Sequence, residues 1–288
     1  MVAAGLRVLV PGDEARLFGF LEQYVDSSLF FFSNVEQAGL EDRGQALQAT
    51  YVARFSESGA MTAVAGHAWN GNLMVQGDVG LEEAAALAVA RSGRTIQGVV
   101  GPWALVCRAR KALGLAQVRA AHDGREVLMS LALAELVEPE LLARSDVALR
   151  VPTLAEAGGL LREWRIAYMV ESLGSTRDAA LEEQCLQQMR GWRERGTLWV
   201  LTLGGEIVSM TGFNAVARGI AQVGGVYTPP ALRSRGYARA AVAASLKLAR
   251  QDGATRSVLF TAEDNLAAQR AYQSLGYRIV GDYGLVLF

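Results

Sequence analysis

The stretch from Val223 to Ala238, V-G-G-V-Y-T-P-P-A-L-R-S-R-G-Y-A, constrains this chain more than any other. A strand-like run carries two adjacent glycines, stops at Pro229-Pro230, and gives way within a few residues to an alanine-rich helical segment. Glycine inside a strand costs packing and marks a bulge or a close backbone approach. A bulge here would leave main-chain groups of Val226 and Thr228 without a neighbouring strand, open to an extended ligand. The turn that follows reads Arg233-Ser234-Arg235-Gly236-Tyr237-Ala238. Small residues let backbone N–H groups converge there, and the helix start adds unsatisfied donors and the positive end of its dipole. That combination is an anion cradle, with Arg233 and Arg235 adding full charge; the plain alternative is a solvated basic turn. In a chain with 31 glycines the Arg-x-x-Gly-x-Ala spacing alone carries little, but it occurs once, at a strand-to-helix junction.

The elements around this junction fall into a regular order. Val147–Val151 reads as a strand ended by Pro152, and Thr153 with Glu156 as a capping box opening a helix to about Val170. Asp178–Arg195 reads as a second helix. Thr197–Leu203 and Glu206–Val216 are strands joined by a Gly204-Gly205 hairpin turn, and Ile220–Thr228 is the next strand. A helix from Tyr237 to Asp252 ends at Gly253, followed by strand Ser257–Thr261, helix Asn265–Leu275, and one or two strands over Tyr277–Phe288. This is a mixed sheet with helices on both sides.

The first half has a similar order. Arg7–Val10 reads as a strand and Asp13–Val25 as a helix. Thr50–Phe55, Met61–Trp69 and Leu73–Gln76 read as strands, with Asn70-Gly71 a hairpin turn. Helix Leu81–Ala90, strand Thr95–Val100, helix Trp103–Leu113 and a strand from Ala116 complete it. Sliding the halves so that Gly114 falls on Gly276 lays Leu113 on Leu275, Val118 on Val280, Arg110 on Tyr272 and Trp103 on Asn265. Two copies of one fold is the economical reading. Glu138-Pro139-Glu140, after the apolar run Leu128–Leu136, reads as a linker, placing domains at 1–140 and 147–288. Phe30-Phe31-Phe32, Trp69 and Trp103 read as core.

Composition closes several doors. With 288 residues, 28 Lys and Arg against 29 Asp and Glu, and 51% hydrophobic residues, the chain is neither disordered nor strongly basic. Broad nucleic-acid binding wants a positive field that a net charge of -1 does not supply. Cys107 and Cys185 are the only thiols, and His67 and His122 the only imidazoles; neither pair has metal-ligand spacing, so no metal is expected. The start lacks a basic segment followed by an apolar core, and no run approaches a spanning helix. The expectation is a cytoplasmic protein without nucleic-acid or membrane partners.

A further stretch, Asn265-x-x-Ala268-x-x-x-Tyr272-x-x-Leu275-Gly276-Tyr277, sets a phenol seven residues after a potential helix cap. Asn265 suits the cap itself. Tyr272 lies on roughly the same helix face and is able to donate a proton, or equally to pack.

Together these features resemble the GNAT acyltransferase superfamily, whose phosphate-binding loop follows R/Q-x-x-G-x-G/A, matched by Arg233 to Ala238. The resemblance covers about residues 147–288, and the first half looks like a degenerate copy, so that the whole is similar to tandem-GNAT proteins. It implies an α/β (α+β) architecture of two mixed-sheet domains flanked by helices. It implies acetyl-CoA or another acyl-CoA as cofactor, with the pyrophosphate on the amides of Arg233, Ser234, Arg235, Gly236, Tyr237 and Ala238, the pantetheine arm along Val226 and Thr228, and Asn265 nearby. It implies acyl transfer to an amine, small-molecule or peptide. The Val226 N–H is then the oxyanion donor and Tyr272 the general acid toward the departing thiolate. Glu171, before the loop that borders the acceptor site in this family, is one candidate base; Glu263, Asp264, the carboxylate of Phe288 and a water chain are others. Trp164 and Tyr168, four residues apart, line either the acceptor pocket or the core.

In the first half the corresponding region is Val75–Glu83. It lacks arginines and sets Asp78, Glu82 and Glu83 where an anion would sit, and Arg110 stands in the tyrosine position. Like charges repel a pyrophosphate and arginine does not release its proton, so this half is expected not to use CoA. The rival reading from another class is a non-catalytic acyl-CoA-binding sensor. A nucleotide-binding Rossmann domain fits poorly, since G-x-G-x-x-G is missing after the relevant strand.

Overall fold

The computed structural model describes residues 5–288. In chain order the elements are β1 (Gly5–Val8), α1 (Glu14–Leu21), α2 (Leu29–Ala38), β2 (Ala49–Phe55), β3 (Met61–Ala68), β4 (Asn72–Gly77), α3 (Leu81–Ser92), β5 (Gly98–Gly101), α4 (Trp103–Ala112) and β6 (His122–Ala132). There follow β7 (Val147–Arg150), α5 (Leu154–Gly158), α6 (Leu160–Leu173), α7 (Ala179–Glu194), β8 (Leu198–Leu203), β9 (Glu206–Ala217) and β10 (Ile220–Tyr227). The last are α8 (Tyr237–Gln251), β11 (Arg256–Ala262), α9 (Leu266–Gln273) and β12 (Arg278–Leu287). Contacts divide the chain into two compact units. One holds the residues up to Leu128 together with Val280–Phe288; the other is Met129–Ile279.

In the first unit the strands run β1-β2-β3-β4-β5, antiparallel except for the parallel pair β4–β5, and the end of β12 lies antiparallel on β5. The sequence of α3 explains its place. Leu81, Ala84, Ala85 and Ala88 recur at helical spacing and form one buried stripe. That stripe packs on Val52, Ala63, Ala65, Leu73 and Val75 of the sheet, joined by Val106 and Ala109 of α4 and Val286 of β12.

The second unit orders its strands β7-β8-β9-β10-β11, with the end of β6 beside β11. Again one central pair, β10–β11, is parallel and the others through β7 are antiparallel. Side chains along a strand alternate between faces. Leu198 and Val200 therefore join Leu161 of α6 and Met189 and Trp192 of α7 on one face. Leu201 and Leu203 meet Tyr237, Ala240 and Ala241 of α8 on the other. The sheet is thus covered on both sides, which is why β8 is apolar almost throughout.

The structure adds to the sequence reading, or departs from it, at several places. Leu29–Ala38, which carries the three phenylalanines, is a helix, with Phe31 and Phe32 buried. The helix expected from Thr153 onward does open on the capping box, but breaks at Gly159, whose φ of -109° and ψ of -97° lie outside the helical region. Residues 138–146, expected as a linker, belong to the second unit, because Leu141 and Leu142 pack against the cluster around Tyr237. The expected domains 1–140 and 147–288 therefore differ from the compact units. Val280–Phe288 goes to the first, where Leu285 and Val286 pair with Val100 and Val99 of β5.

Candidate functional site

The parallel pairing of β10 with β11 covers Ile220–Arg256, Ala221–Ser257 and Gln222–Val258, and then ends. Both strands continue beyond it, β10 to Tyr227 and β11 to Ala262, so a cleft opens between them from Val223 onward. On its other edge β10 is irregular against β9. Gln222 faces Ala215 and Val223 faces Phe213, which leaves Asn214 as an extra residue on β9. Gly224 faces Gly212 and Tyr227 faces Met210, which leaves an extra residue on β10 at Gly225-Val226. The bulge is where the glycines place it. Gly225 has φ +60°, and a Cβ there would run into the Trp192 ring of α7. At Gly224 a Cβ would meet the Asn214 amide. Both glycines are required by close neighbours.

After Tyr227 the prolines halt the strand, and Pro230–Leu232 form a single 3-10 turn. Ser234 (φ +62°) and Gly236 (φ +79°) both take left-handed conformations before α8 begins. The first helical main-chain bond runs from the Ala240 N–H to the Gly236 carbonyl. Among the described residues no protein acceptor takes the N–H groups of Ser234 through Arg239. These are the orphan donors of a helix start, left for a ligand or solvent. Arg235 is exposed beside them, whereas the Tyr237 side chain is buried in the core. Adjoining the first turn of α8 is an open cavity of about 730 Å³ whose lining includes Arg144, Arg239 and Ser274.

Arg233 does not point at these amides. Its Nε donates to the Thr228 carbonyl at 2.9 Å, and its Nη2 donates to Glu171 Oε2 at 2.6 Å. The guanidinium also lies 5.6 Å from the centre of the Tyr227 ring. Tyr227 donates its hydroxyl to the other oxygen of Glu171 at 3.1 Å. Burial and then the Glu171 charge push the Tyr227 phenol above its ordinary value, so it remains a donor. Glu171, in the last turn of α6, is thus held by groups from β10 and the basic loop. Thr228 is likewise engaged, its hydroxyl 2.9 Å from that of Ser209.

Tyr272 sits on α9, its ring edge-on to Tyr277 with centroids 5.9 Å apart. It makes no hydrogen bond to protein among the described residues. Burial, and the nearby Tyr168 phenol of α6, raise its pKa well above the usual tyrosine range. A phenol so placed is neutral and protonated, the state a proton donor needs. Asn265 caps α9, its side chain accepting from the Ala268 N–H at 3.1 Å, so that its carbonyl oxygen is spent on the helix. Trp164 and Tyr168 pack against the core cluster of Leu161, Met189 and Trp192.

The structure therefore joins Glu171, Tyr227, Thr228 and Arg233 into one hydrogen-bonded group. It sets the loop amides free, and gives Asn265 and the Tyr237 ring structural work. Phe288 falls in the first unit, its ring beneath Arg110. Sequence reasoning missed two residues. Tyr227 lies inside the informative junction, and its only signal was that position. Trp192 sets the glycine at the bulge from a distant helix and leaves no trace in one dimension. Among the described residues no cluster of three His, Cys, Asp or Glu is arranged to hold a metal ion. No helix among them is long and apolar enough to cross a membrane.

Comparison with known proteins agrees with this geometry. Residues 161–277 match the acetyltransferase (GNAT) family model. A Drosophila protein solved by X-ray crystallography superposes with a TM-score of 0.68 at 12% identity, covering 99% of each chain. A GCN5-related N-acetyltransferase from Sphaerobacter thermophilus gives 0.54 at 18% identity, covering 98% of this chain and 94% of that one. An acetyltransferase of the GNAT family from Colwellia psychrerythraea gives 0.50 at 14% identity, covering 98% and 99%. Among curated proteins there is no match. Residues 161–277 are thus similar to the acetyltransferase (GNAT) family, and over its whole length the chain shares the fold of GNAT structures.

Proposed function

We propose that the second unit is an N-acyltransferase that takes an acetyl group from acetyl-CoA, or a related acyl-CoA, and passes it to an amine, while the first unit binds no CoA. The observation that carries the reading is the row of unclaimed amides from Ser234 to Arg239, beside a strand that has parted from its neighbour. The loop amides and Arg235 fit a diphosphate, and the open edge of β10 at Val226 and Thr228 fits the amide groups of a pantetheine arm. When bound, the thioester supplies an activated acyl group and a thiol leaving group.

The remaining chemistry falls to this chain. An ammonium has no lone pair, so the acceptor must lose a proton, and Glu171 is the carboxylate at hand. The Val226 N–H, in the bulge, donates to developing negative charge on oxygen. Tyr272 holds the proton for the departing sulfur. With free Cys107 and Cys185, the reading fits the cytoplasm.

Titration calorimetry with acetyl-CoA, followed by thiol release over a panel of amines, tests this. Tyr272→Phe should lower kcat by about a hundredfold or more with unchanged CoA affinity; unchanged turnover removes the role. One observation favours a second reading. Glu171 is paired with Arg233 rather than free, which suits an acyl-CoA sensor that binds without turning over. CoA binding with no thiol release on any amine would select it.

A further inference from the structure

Arg233 belongs by sequence to the diphosphate loop and by contact to Glu171. The ion pair is 2.6 Å long, yet its partners are 47% and 41% exposed. Exposed pairs of this kind hold weakly, because water competes for both charges. A diphosphate carries more charge than one carboxylate, and Arg is suited to bind it with two parallel N–H bonds. The loop that would bring that diphosphate is the one on which Arg233 stands. The pair also has a third member: Tyr227 donates to Glu171 independently, so the carboxylate stays anchored if the guanidinium leaves.

Resting on the acyl-CoA reading above, we propose that Glu171 and the cofactor's diphosphate compete for Arg233, so that cofactor binding draws the guanidinium away and frees Glu171 to meet the acceptor amine. In the structure Arg233 occupies one carboxylate oxygen of Glu171 and the Thr228 carbonyl. Once Arg233 has moved, Glu171 keeps the Tyr227 hydroxyl on one oxygen, and the other is open to an amine N–H. Arg233 is a positioning residue, coupling the two ends of the cleft, and the base becomes available only when the acyl donor is in place.

The test needs no acceptor. Removing the competitor should tighten CoA: Glu171→Gln is expected to lower the CoA Kd by about two- to fivefold, the gain from releasing an exposed ion pair worth roughly 0.4–1 kcal/mol. The same substitution made in an Arg233→Gln background should bring no gain, and pantetheine, which lacks the diphosphate, should bind the wild type and Glu171→Gln alike. Unfolding midpoints of the three variants confirm that each is folded. Equal tightening in both backgrounds would mean that only a repulsive charge had been removed, and overturns the competition. So does an unchanged or weaker CoA affinity in Glu171→Gln. Absence of any CoA heat in the wild type, by contrast, removes the acyl-CoA reading itself.

Discussion

The helix starts at Leu81 and Tyr237 each follow the strand that makes the parallel pair of its unit, and their backbones are close copies. Each is preceded by a left-handed glycine, Gly80 at φ 83° and ψ 17°, Gly236 at φ 79° and ψ 4°. Each follows a strand paired in parallel over three positions. The chemistry is opposite. In the first unit the Asp78 N–H is taken by the Thr62 carbonyl and the Leu81 N–H by the Asp78 carbonyl. Arg108 reaches across to the Asp78 carboxylate at 2.6 Å and to Glu82 at 2.7 Å. The stem of Arg54 lies against Gly80. β4 pairs with β3 over five consecutive positions without a bulge. Before α8 six successive amides stand beside an exposed Arg235; before α3 two of the amides are bonded and the charged side chains neutralise one another. Backbone shape alone does not make an anion site; unclaimed donors and uncommitted cations do.

The comparison breaks most sharply at the bulge. Gly225→Ala forces a side chain into a left-handed conformation and against Trp192, at a cost of about 3 kcal/mol. Urea denaturation should register the loss, with CoA affinity falling alongside; retention of both would mean that the bulge does not shape the cleft. Next comes a charge cluster of the first unit. Arg94 donates to Asp42 at 2.8 Å and, with Thr50, holds this largely buried carboxyl at about 2. The folded value lies below the ordinary one near 3.9, so the stabilisation is complete above about pH 4 and is lost as pH falls toward 2. Asp42→Asn should therefore cost about 2 kcal/mol at pH 7, and its denaturation curve should converge on the wild type near pH 2.

A smaller effect sharpens the contrast directly. Ser234→Asp gives the second unit the acidic character of the first and should weaken CoA about tenfold, close to 1.4 kcal/mol. Calorimetry on the wild type should meanwhile return one CoA per chain; two would erase the distinction between the units. The smallest change lies away from either helix start. Thr153→Ala removes the capping box at α5, costing about 1 kcal/mol in denaturation and leaving CoA affinity as it was.

What sequence revealed and what it hid follow one rule. Features written in adjacent residues were legible: the Thr153–Glu156 box, the Gly224-Gly225 bulge, the prolines that end β10, and the acidic loop of the first unit. The resemblance to GNAT proteins came from the same local stretches. Features that depend on distant partners were not. Nothing near Arg233 announces Glu171, and a motif position alone sent its guanidinium to the phosphate site. Leu141 and Leu142 look like linker residues until the cluster they join around Tyr237 is seen. The helix at Leu29–Ala38 escaped because a run of aromatics has no helical polarity to read.

The strand from Val280 onward has a consequence for how the polypeptide assembles. Met129–Ile279 is continuous in sequence, whereas the first unit is assembled from two segments that flank it. Its β5 gains an antiparallel neighbour only when Gly284–Leu287 meet Gly98–Gly101. Closing the first unit therefore means closing a loop that contains the whole of the second, an entropic cost that grows only slowly with the length enclosed.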